Sequence, residues 1–413
     1  MTMASKLGLQ VLRNPLHGPV PPESTRSPGA PLTLHSRLPG YAPTPLIEIP
    51  ELADRLGVGR VLVKDESSRL GLPAFKMLGA SWASYRALDE LLSARVGRGI
   101  TKFESVDELG SQLDPLRPLD LATATDGNHG RAVARFARLV GLGARIFVPA
   151  GTSDARIEAI RSEGARCTVV DGTYEDAVAR AASEAADDCL VISDTSWPGY
   201  ETVPRWVIEG YETIFHEILD QRRAGEIPEP TIVMVPIGVG ALAASVAVHF
   251  RLHTREVRRQ GPGPTLIGVE PDTANCVMVS ARAGRLVEVP GPHSSVMAGL
   301  NCGMASPAAW PFVSTGFDWF VAGGDDLATT GMRLLADQGV VSGESGACTV
   351  GALVALAAGA GSDAGLELAP DDVVLILSTE GATDPTFYEA TVGRSPEHVA
   401  ASRANLGGVE QGA

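Results

Sequence analysis

Thr231-Ile232-Val233-Met234-Val235-Pro236-Ile237-Gly238-Val239-Gly240-Ala241-Leu242 is the stretch whose reading decides the fold. Thr231 to Val235 is a short β-branched run of strand length. A glycine turn follows, and Ala241 and Leu242 open a helix. Strand, glycine turn and helix in that order aim backbone N–H groups at one point, an arrangement that binds a phosphate. A Gly-x-Gly is common, so the ordinary alternative is a tight turn with no ligand.

The same alternation runs outward in both directions. Before it come strands at Val58 to Val63, Leu121 to Thr125, Arg145 to Val148, Cys167 to Val170 and Leu190 to Ser193. Helical stretches separate them after Lys76 and through Arg131 to Val140, Ile157 to Ser162 and Glu175 to Ala185. After it come Thr265 to Val269, a helix around Met332 to Asp337, and a strand at Val373 to Ser378. Such alternation predicts an α/β protein with mostly parallel twisted sheets flanked by helices, in two lobes with a cleft between them. The expected division is a large domain over 41–81 and 200–395 and a small domain over 82–199. Residues 95–118 show no sustained period and read as a surface insertion. Residues 1–40, rich in Pro, Gly, Ser and Arg, read as an extended or disordered arm, and 396–413 as a flexible tail.

Composition narrows the function classes. The chain has 413 residues, 44% hydrophobic, enough for a large core. A formal charge of −15 disfavours nucleic acid or an anionic membrane as partner. Five scattered cysteines, Cys167, Cys189, Cys276, Cys302 and Cys348, contain no CxxC pair. That argues against a zinc cluster or a disulfide framework and fits a reducing cytoplasm. The eight histidines lack HExxH spacing, so no metal site is expected. The apolar run Gly351 to Ala360 is too short to span a bilayer and reads as a buried helix.

Two further motifs carry candidate chemistry. Lys76, in Ala74-Phe75-Lys76-Met77-Leu78-Gly79, opens a helix whose positive end lowers an amine's pKa, as a Schiff-base lysine requires. The bland alternative is a solvated surface lysine. Thr123-Ala124-Thr125-Asp126-Gly127-Asn128-His129-Gly130 joins a strand to a helix and can present several N–H groups to a carboxylate. The alternative there is an ordinary turn with Asp126 as N-cap.

The order of these elements, a lysine after Phe, an Asn-His-Gly loop, a glycine loop, then a Ser or Thr ending a late strand, resembles the fold-type-II pyridoxal-phosphate enzymes of the threonine dehydratase and tryptophan synthase β-chain family. The resemblance narrows to the diaminopropionate ammonia-lyases. It rests on Lys64-Asp65-Glu66-Ser67-Ser68-Arg69-Leu70-Gly71-Leu72-Pro73-Ala74-Phe75-Lys76, on Asp126, on Asp194-Thr195-Ser196-Trp197-Pro198-Gly199-Tyr200 and on Leu377-Ser378-Thr379-Glu380-Gly381. It covers about Tyr41 to Gly393. Pro73, Ala80 and Leu70 depart from the lyase pattern.

The resemblance implies that Lys76 carries pyridoxal phosphate and that Phe75 packs near its ring. Asn128 would bond the cofactor's phenolic oxygen, and Gly238, Val239, Gly240, Ala241 and Leu242 its phosphate. Ser378, or else Thr379, would meet the pyridine nitrogen. Gly127, Asn128, His129 and Gly130 would hold the substrate carboxylate. Asp126 and Asp194 would handle a second amine and supply acid or base. Without the resemblance, Asp194 reads as a turn residue after Ser193. Glu270 reads as a strand-end carboxylate in a turn that the family keeps near the cofactor, Glu344 as a helix-start acid, and His129 as a residue satisfying loop hydrogen bonds rather than titrating. The expected activity is α,β-elimination of 2,3-diaminopropionate, D or L, to pyruvate and ammonia by a cytoplasmic enzyme, homodimers being common in the family. A serine or threonine deaminase, a β-replacement enzyme and a non-catalytic cofactor-binding protein are the competing readings.

Overall fold

The computed structural model describes residues 8–22, 29–253 and 263–406. Its strands are β1 (Leu9–Arg13), β2 (Leu46–Glu48), β3 (Arg60–Asp65), β4 (Asp120–Ala124), β5 (Gly143–Pro149), β6 (Arg166–Val170), β7 (Cys189–Val191), β8 (Ile232–Pro236), β9 (Thr265–Pro271), β10 (Trp319–Gly323) and β11 (Val373–Ser378). They form a seven-stranded sheet in the order β1-β10-β9-β8-β11-β3-β2 and a four-stranded sheet in the order β6-β5-β4-β7. The four-stranded sheet is wholly parallel, and only β1 and β2, at the two edges of the larger one, run antiparallel to their neighbours.

Every residue of β8 and β11 is buried. These strands are apolar on both faces because helices cover both, as a parallel sheet requires. Val233, Val235, Leu375 and Leu377 face one apolar cluster, and Met234, Val374 and Ile376 the other. The period of two along each strand thus divides the core between the two sides of the sheet.

Three expectations need correction. The first 40 residues are not a free arm throughout, and the large sheet begins before residue 41. β1 covers the edge of β10, and Asn14 locks it there by donating its side-chain amide to the carbonyls of Ser314 and Phe317 at 2.8 and 2.7 Å. His35, in the Ala30–His35 helix, is fully buried between Thr213 and the Leu78 carbonyl, and burial pushes its pKa down to about 3, so it is neutral. Residues 1–7 and 23–28 of that arm lie outside the described residues.

The 95–118 segment is no loose surface insertion. Phe103, Val106, Leu109, Leu113 and Leu116 are buried, and Val106–Gln112 is a helix capped by Ser105, whose hydroxyl accepts the Glu108 N–H. Those apolar positions recur at spacings of three and four, the helical signal that glycines, prolines and charges obscured. The tail is helical over Pro396–Leu406, because Val399 is completely buried in the core; residues 407–413 lie outside the described residues.

A buried ion cluster fixes the chain between β3 and Lys76. Arg69 binds Glu66 at 2.7 Å and Glu217 at 2.6 Å, while Lys64 binds Glu217 at 2.8 Å, with all four side chains essentially removed from solvent. Two cations balance two carboxylates, and Thr44 and Gln221 fill the remaining hydrogen bonds. Burial pushes the Glu217 pKa up, but Arg69 and Lys64 pull it down further, to about 2. Replacing Glu217 by Ala removes the direct carboxylate partner of Lys64 and leaves two buried cations to the single carboxylate of Glu66, with an expected loss of about 3–5 kcal/mol of unfolding free energy, read from urea titration. The folded pKa is below the ordinary 4.5, so this contribution is complete above pH 4.5 and fades as pH falls toward 2. The gap between wild type and variant must narrow over that window.

Candidate active site

The carboxyl ends of β3, β4, β7, β8 and β11 converge on one cleft between the sheets, the place where open parallel sheets bind ligands. The cleft encloses a cavity of about 530 Å³, within the usual range for a small-molecule site. Of the residues singled out from sequence, Phe75, Lys76, Asp126, Asn128, Asp194, Gly238, Val239, Gly240, Ala241, Leu242 and Thr379 line it.

Lys76 is brought there by a tight reversal. Leu70 is held at φ 52°, a left-handed conformation costly for a bulky side chain, and Gly71 follows at φ 74°. The buried Arg69 side chain anchors this turn. Pro73 to Phe75 then pairs with the end of β11: Phe75 donates its N–H to Thr379 O at 3.1 Å, and Gly381 donates to Pro73 O at 2.9 Å. Lys76 is the first residue of the Lys76–Val96 helix. Phe75 packs its ring 4.7 Å from that of Tyr211.

Lys76 Nζ donates to Asp194 Oδ2 at 2.7 Å. This overturns the expectation of a lowered lysine pKa. Burial does pull the amine down, but Asp194, with Tyr211 and Asp126 behind it, raises it well above the ordinary lysine range. A helix terminus, worth about 0.3–1 kcal/mol, is outweighed by a carboxylate in direct contact. Burial likewise pushes Asp194 up, while Lys76 and His129 bring it down to about 2. Asp194 is therefore no turn cap; Ser193 fills that role, accepting the Thr195 N–H at its hydroxyl.

Asp126 is not an N-cap either. The Asn128–Leu139 helix starts from Gly127, at φ 148°, whose N–H is accepted by Thr125 Oγ1 at 2.9 Å. That leaves the Asp126 carboxyl to line the cavity, where burial raises its pKa, Lys76 and Arg156 oppose the rise, and Asp194 and Glu380 reinforce it. Gly130 lets the helix lie against its sheet, since a Cβ there would come within 2.6 Å of Ile146. Gly127, His129 and Gly130 support the loop without lining the cavity.

At the end of the late strand, Ser378 is fully buried and donates to Ser342 Oγ at 2.8 Å, and its neighbour Thr379 lines the cavity. Glu270 does not reach the cavity. It accepts the N–H groups of Val277 and Met278, both at 2.8 Å, at the start of the Cys276–Ala283 helix, and burial pushes its pKa up to about 8. Glu344 also stays outside, at the start of the Glu344–Ala357 helix, raised to about 7 by burial and by Glu380.

Sequence reasoning missed Glu380, Arg156, Tyr174, Ser345 and Cys302, which also line the cavity. Glu380 accepts from Asn128 Nδ2 and from the Ser345 N–H, tying the two lobes together beside the substrate loop. Its position beside Thr379 in the closing motif was the available signal. The others carry no motif and are assembled by folding alone. Among the described residues, no group of three or more His, Cys, Asp or Glu could hold a metal ion.

The residues fit pyridoxal phosphate. Gly240 turns the chain at φ 96° into the Ala241–Val248 helix, whose free N–H groups suit a phosphate. Gly238 is packed so closely that a Cβ would lie 2.8 Å from Gly299 O and 3.4 Å from Cys302 Sγ. Lys76 supplies an amine to the same cavity, which Phe75 and Thr379 also line.

A family model for pyridoxal-phosphate dependent enzymes matches residues 37–379. The chain belongs to that family, the class that two mostly parallel sheets closing on a half-buried lysine define. Within it, the likeness is to diaminopropionate ammonia-lyases. The enzyme of that name from Salmonella typhimurium is 38% identical over 88% of this chain and 92% of its own length. The crystal structure of diaminopropionate ammonia lyase from Escherichia coli in complex with D-serine has a TM-score of 0.83 at 34% identity, covering 94% of this chain and 97% of that one. The same enzyme in complex with an aminoacrylate-PLP azomethine reaction intermediate has a TM-score of 0.81 at 33% identity, with the same coverage.

Gly238→Ala tests the phosphate cradle. It is expected to weaken pyridoxal-phosphate binding by about tenfold or more, because the added methyl must displace the Gly299 backbone. The measurement is an absorbance titration of the visible cofactor band.

Proposed function

We propose that this chain is a diaminopropionate ammonia-lyase, converting 2,3-diaminopropionate of either configuration to pyruvate and ammonia. The observation that carries the reading is the meeting of Lys76, Asp194 and Asp126 in one buried cleft. Two carboxylates around a lysine suit a substrate bearing a second amine. The hydroxyl leaving group of serine or threonine gains little from the extra charge. The reading includes a homodimer in the cytoplasm, with free cysteines, four of them buried, in keeping with a reducing compartment.

Pyridoxal phosphate, when bound, supplies an aldehyde for covalent attachment of an amine and a conjugated ring that stabilises the electron pair left by a departing α-proton. The protein's own groups do the rest. The Ala241–Val248 helix start and the glycines before it hold the phosphate. Asn128, itself oriented by Glu380, would bond the phenolic oxygen, and Thr379 would meet the ring nitrogen with a neutral hydroxyl. With the Gly127 N–H already given to Thr125, the N–H groups at the start of the Asn128–Leu139 helix, where Asn128 reaches the cavity, hold the substrate carboxylate.

Lys76, as the neutral amine, takes the α-proton of one isomer. Asp126 takes that of the other, a task for which its raised pKa suits it. Asp194 holds the positive charge of the side-chain ammonium and orients it for departure as ammonia. Burial of the cleft keeps these charges away from bulk water.

Keto-acid formation from D- and L-diaminopropionate, D- and L-serine and L-threonine tests the reading. Pyruvate from diaminopropionate far above product from the hydroxy acids is expected, with Lys76→Ala inactive. Asp126→Asn is expected to lose on the order of a hundredfold in kcat for one isomer and much less for the other. Product only from the hydroxy acids would reassign the chain as a deaminase, and the visible band without any product would make it a β-replacement or non-catalytic protein.

A further inference from the structure

Lys76 poses a problem that the arrangement around it answers. Its amine is held as an ammonium by Asp194 at 2.7 Å, yet both covalent attachment of the cofactor and removal of an α-proton need the neutral amine. The proton must go somewhere within a buried cleft. We propose that His129 is the positioning residue that holds this proton, taking it at Nδ1 by way of the Asp194 carboxylate. The inference rests on the reading of Lys76 as the cofactor-bearing amine.

The geometry sets the direction. His129 is 1% exposed, and its Nε2 lies 2.8 Å from the Ile192 carbonyl, which can only accept; Nε2 therefore carries the hydrogen. In the neutral ring, Nδ1 then presents a lone pair. Among the described residues no group bonds it, although it is buried. It faces Asp194 Oδ2, the oxygen that holds Lys76, at 4.0 Å. A lone pair facing a carboxylate is repulsive until a proton lies between them. The gap is about 1 Å longer than a hydrogen bond, so a turn of the Asp194 carboxyl toward the ring completes the path.

Electrostatics couple the two sites. Burial holds the imidazole neutral, Asp194 favours its charged form, and the Lys76 charge opposes it. Once Lys76 is neutral, the opposition disappears while the pull of Asp194 remains. Tyr211, Tyr174, Asp126 and Cys302 face the same pair, and Tyr174 reaches Asp194 Oδ1 at 3.5 Å. Tyr211, Tyr174 and Cys302 have raised pKa values and stay protonated. Asp126 is the rival acceptor. The step balances as one N–H bond broken at Lys76 Nζ and one formed at His129 Nδ1, with Asp194 anionic before and after. One proton thus has two alternative holders.

The test uses holoenzyme with bound pyridoxal phosphate and nitrogen-labelled histidine, followed by NMR from about pH 6 to about pH 9. His129→Gln identifies the resonance; it keeps a donor for the Ile192 carbonyl but cannot take a proton, and His129→Asn serves if the first variant fails to fold. Both His129 nitrogens are expected in the imidazolium range at neutral pH, with deprotonation above the ordinary histidine value. The variant's kcat/KM is expected to fall on the order of a hundredfold near neutrality and to recover as hydroxide takes over the proton at higher pH. Neutral nitrogens throughout, as transfer to Asp126 would give, or a loss that does not change with pH, overturns the proposal. Failure of the function reading would show separately, as imidazolium resonances in a protein that does not turn over diaminopropionate.

Discussion

The contact between Lys76 and Asp194 is the constraint on which the site depends. Lys76 stands at the start of a helix that leaves the seven-stranded sheet, and Asp194 follows the last strand of the four-stranded one. Neither sheet alone contains both. The ion pair therefore exists only when the lobes are docked, and the Asn128 to Glu380 hydrogen bond repeats that requirement on the other side of the substrate loop. A buried charge pair is a poor source of net stability, since desolvation offsets most of the attraction. Its value here lies in fixing where two mobile side chains end and in which protonation state.

The fold supports that contact with rigid neighbours. The cluster of Lys64, Glu66, Arg69 and Glu217 sits at the root of the turn that delivers Lys76, and its charges cancel within itself. Consequently it holds the turn without imposing a net field on the cleft. Leu70 can be kept at positive φ because Arg69 on one side and the paired Pro73 to Phe75 segment on the other leave it no alternative path. The cavity itself carries an excess of carboxylates, with Asp126, Asp194 and Glu380 around one lysine and one arginine. That imbalance adds to the burial that raises Asp126, and it suits a cationic substrate.

Much of this was legible in the sequence because it is local. β8, its glycine turn and its helix lie within twelve consecutive residues, and the βα alternation elsewhere has the same short range. Asp126 and the Gly238 to Leu242 cradle could be placed on turns at strand ends, and Lys76 at a helix start, for that reason. What was misjudged depends on contacts far apart in the chain. The lysine pKa went the wrong way because a helix terminus is visible in sequence and a carboxylate 118 residues on is not. Leu9–Arg13 is too short to announce itself and becomes a strand only because β10 has an open edge. Ser378 and Thr379 are adjacent, and only the pleat decides which of the two residues lines the cleft.

The same distinction explains how one scaffold serves different amino acids. The strands, the phosphate cradle and the lysine are set by the backbone, and enzymes with amino-acid substrates of several kinds can share them. The discriminating groups hang on loops after the strands, where a single side chain changes charge without disturbing packing. Gly127 and Gly130 bear the geometry of the substrate loop, so Asp126 between them and Thr125 is free to vary chemically. A carboxylate at that place costs folding energy, because desolvation, and then the nearby Asp194 and Glu380, disfavour its charge. Such a cost is sustained only if something in the working site repays it, and a second ammonium on the substrate is the simplest group that does. The acidic cleft is thus better understood as half of an ion pair whose other half arrives with the substrate.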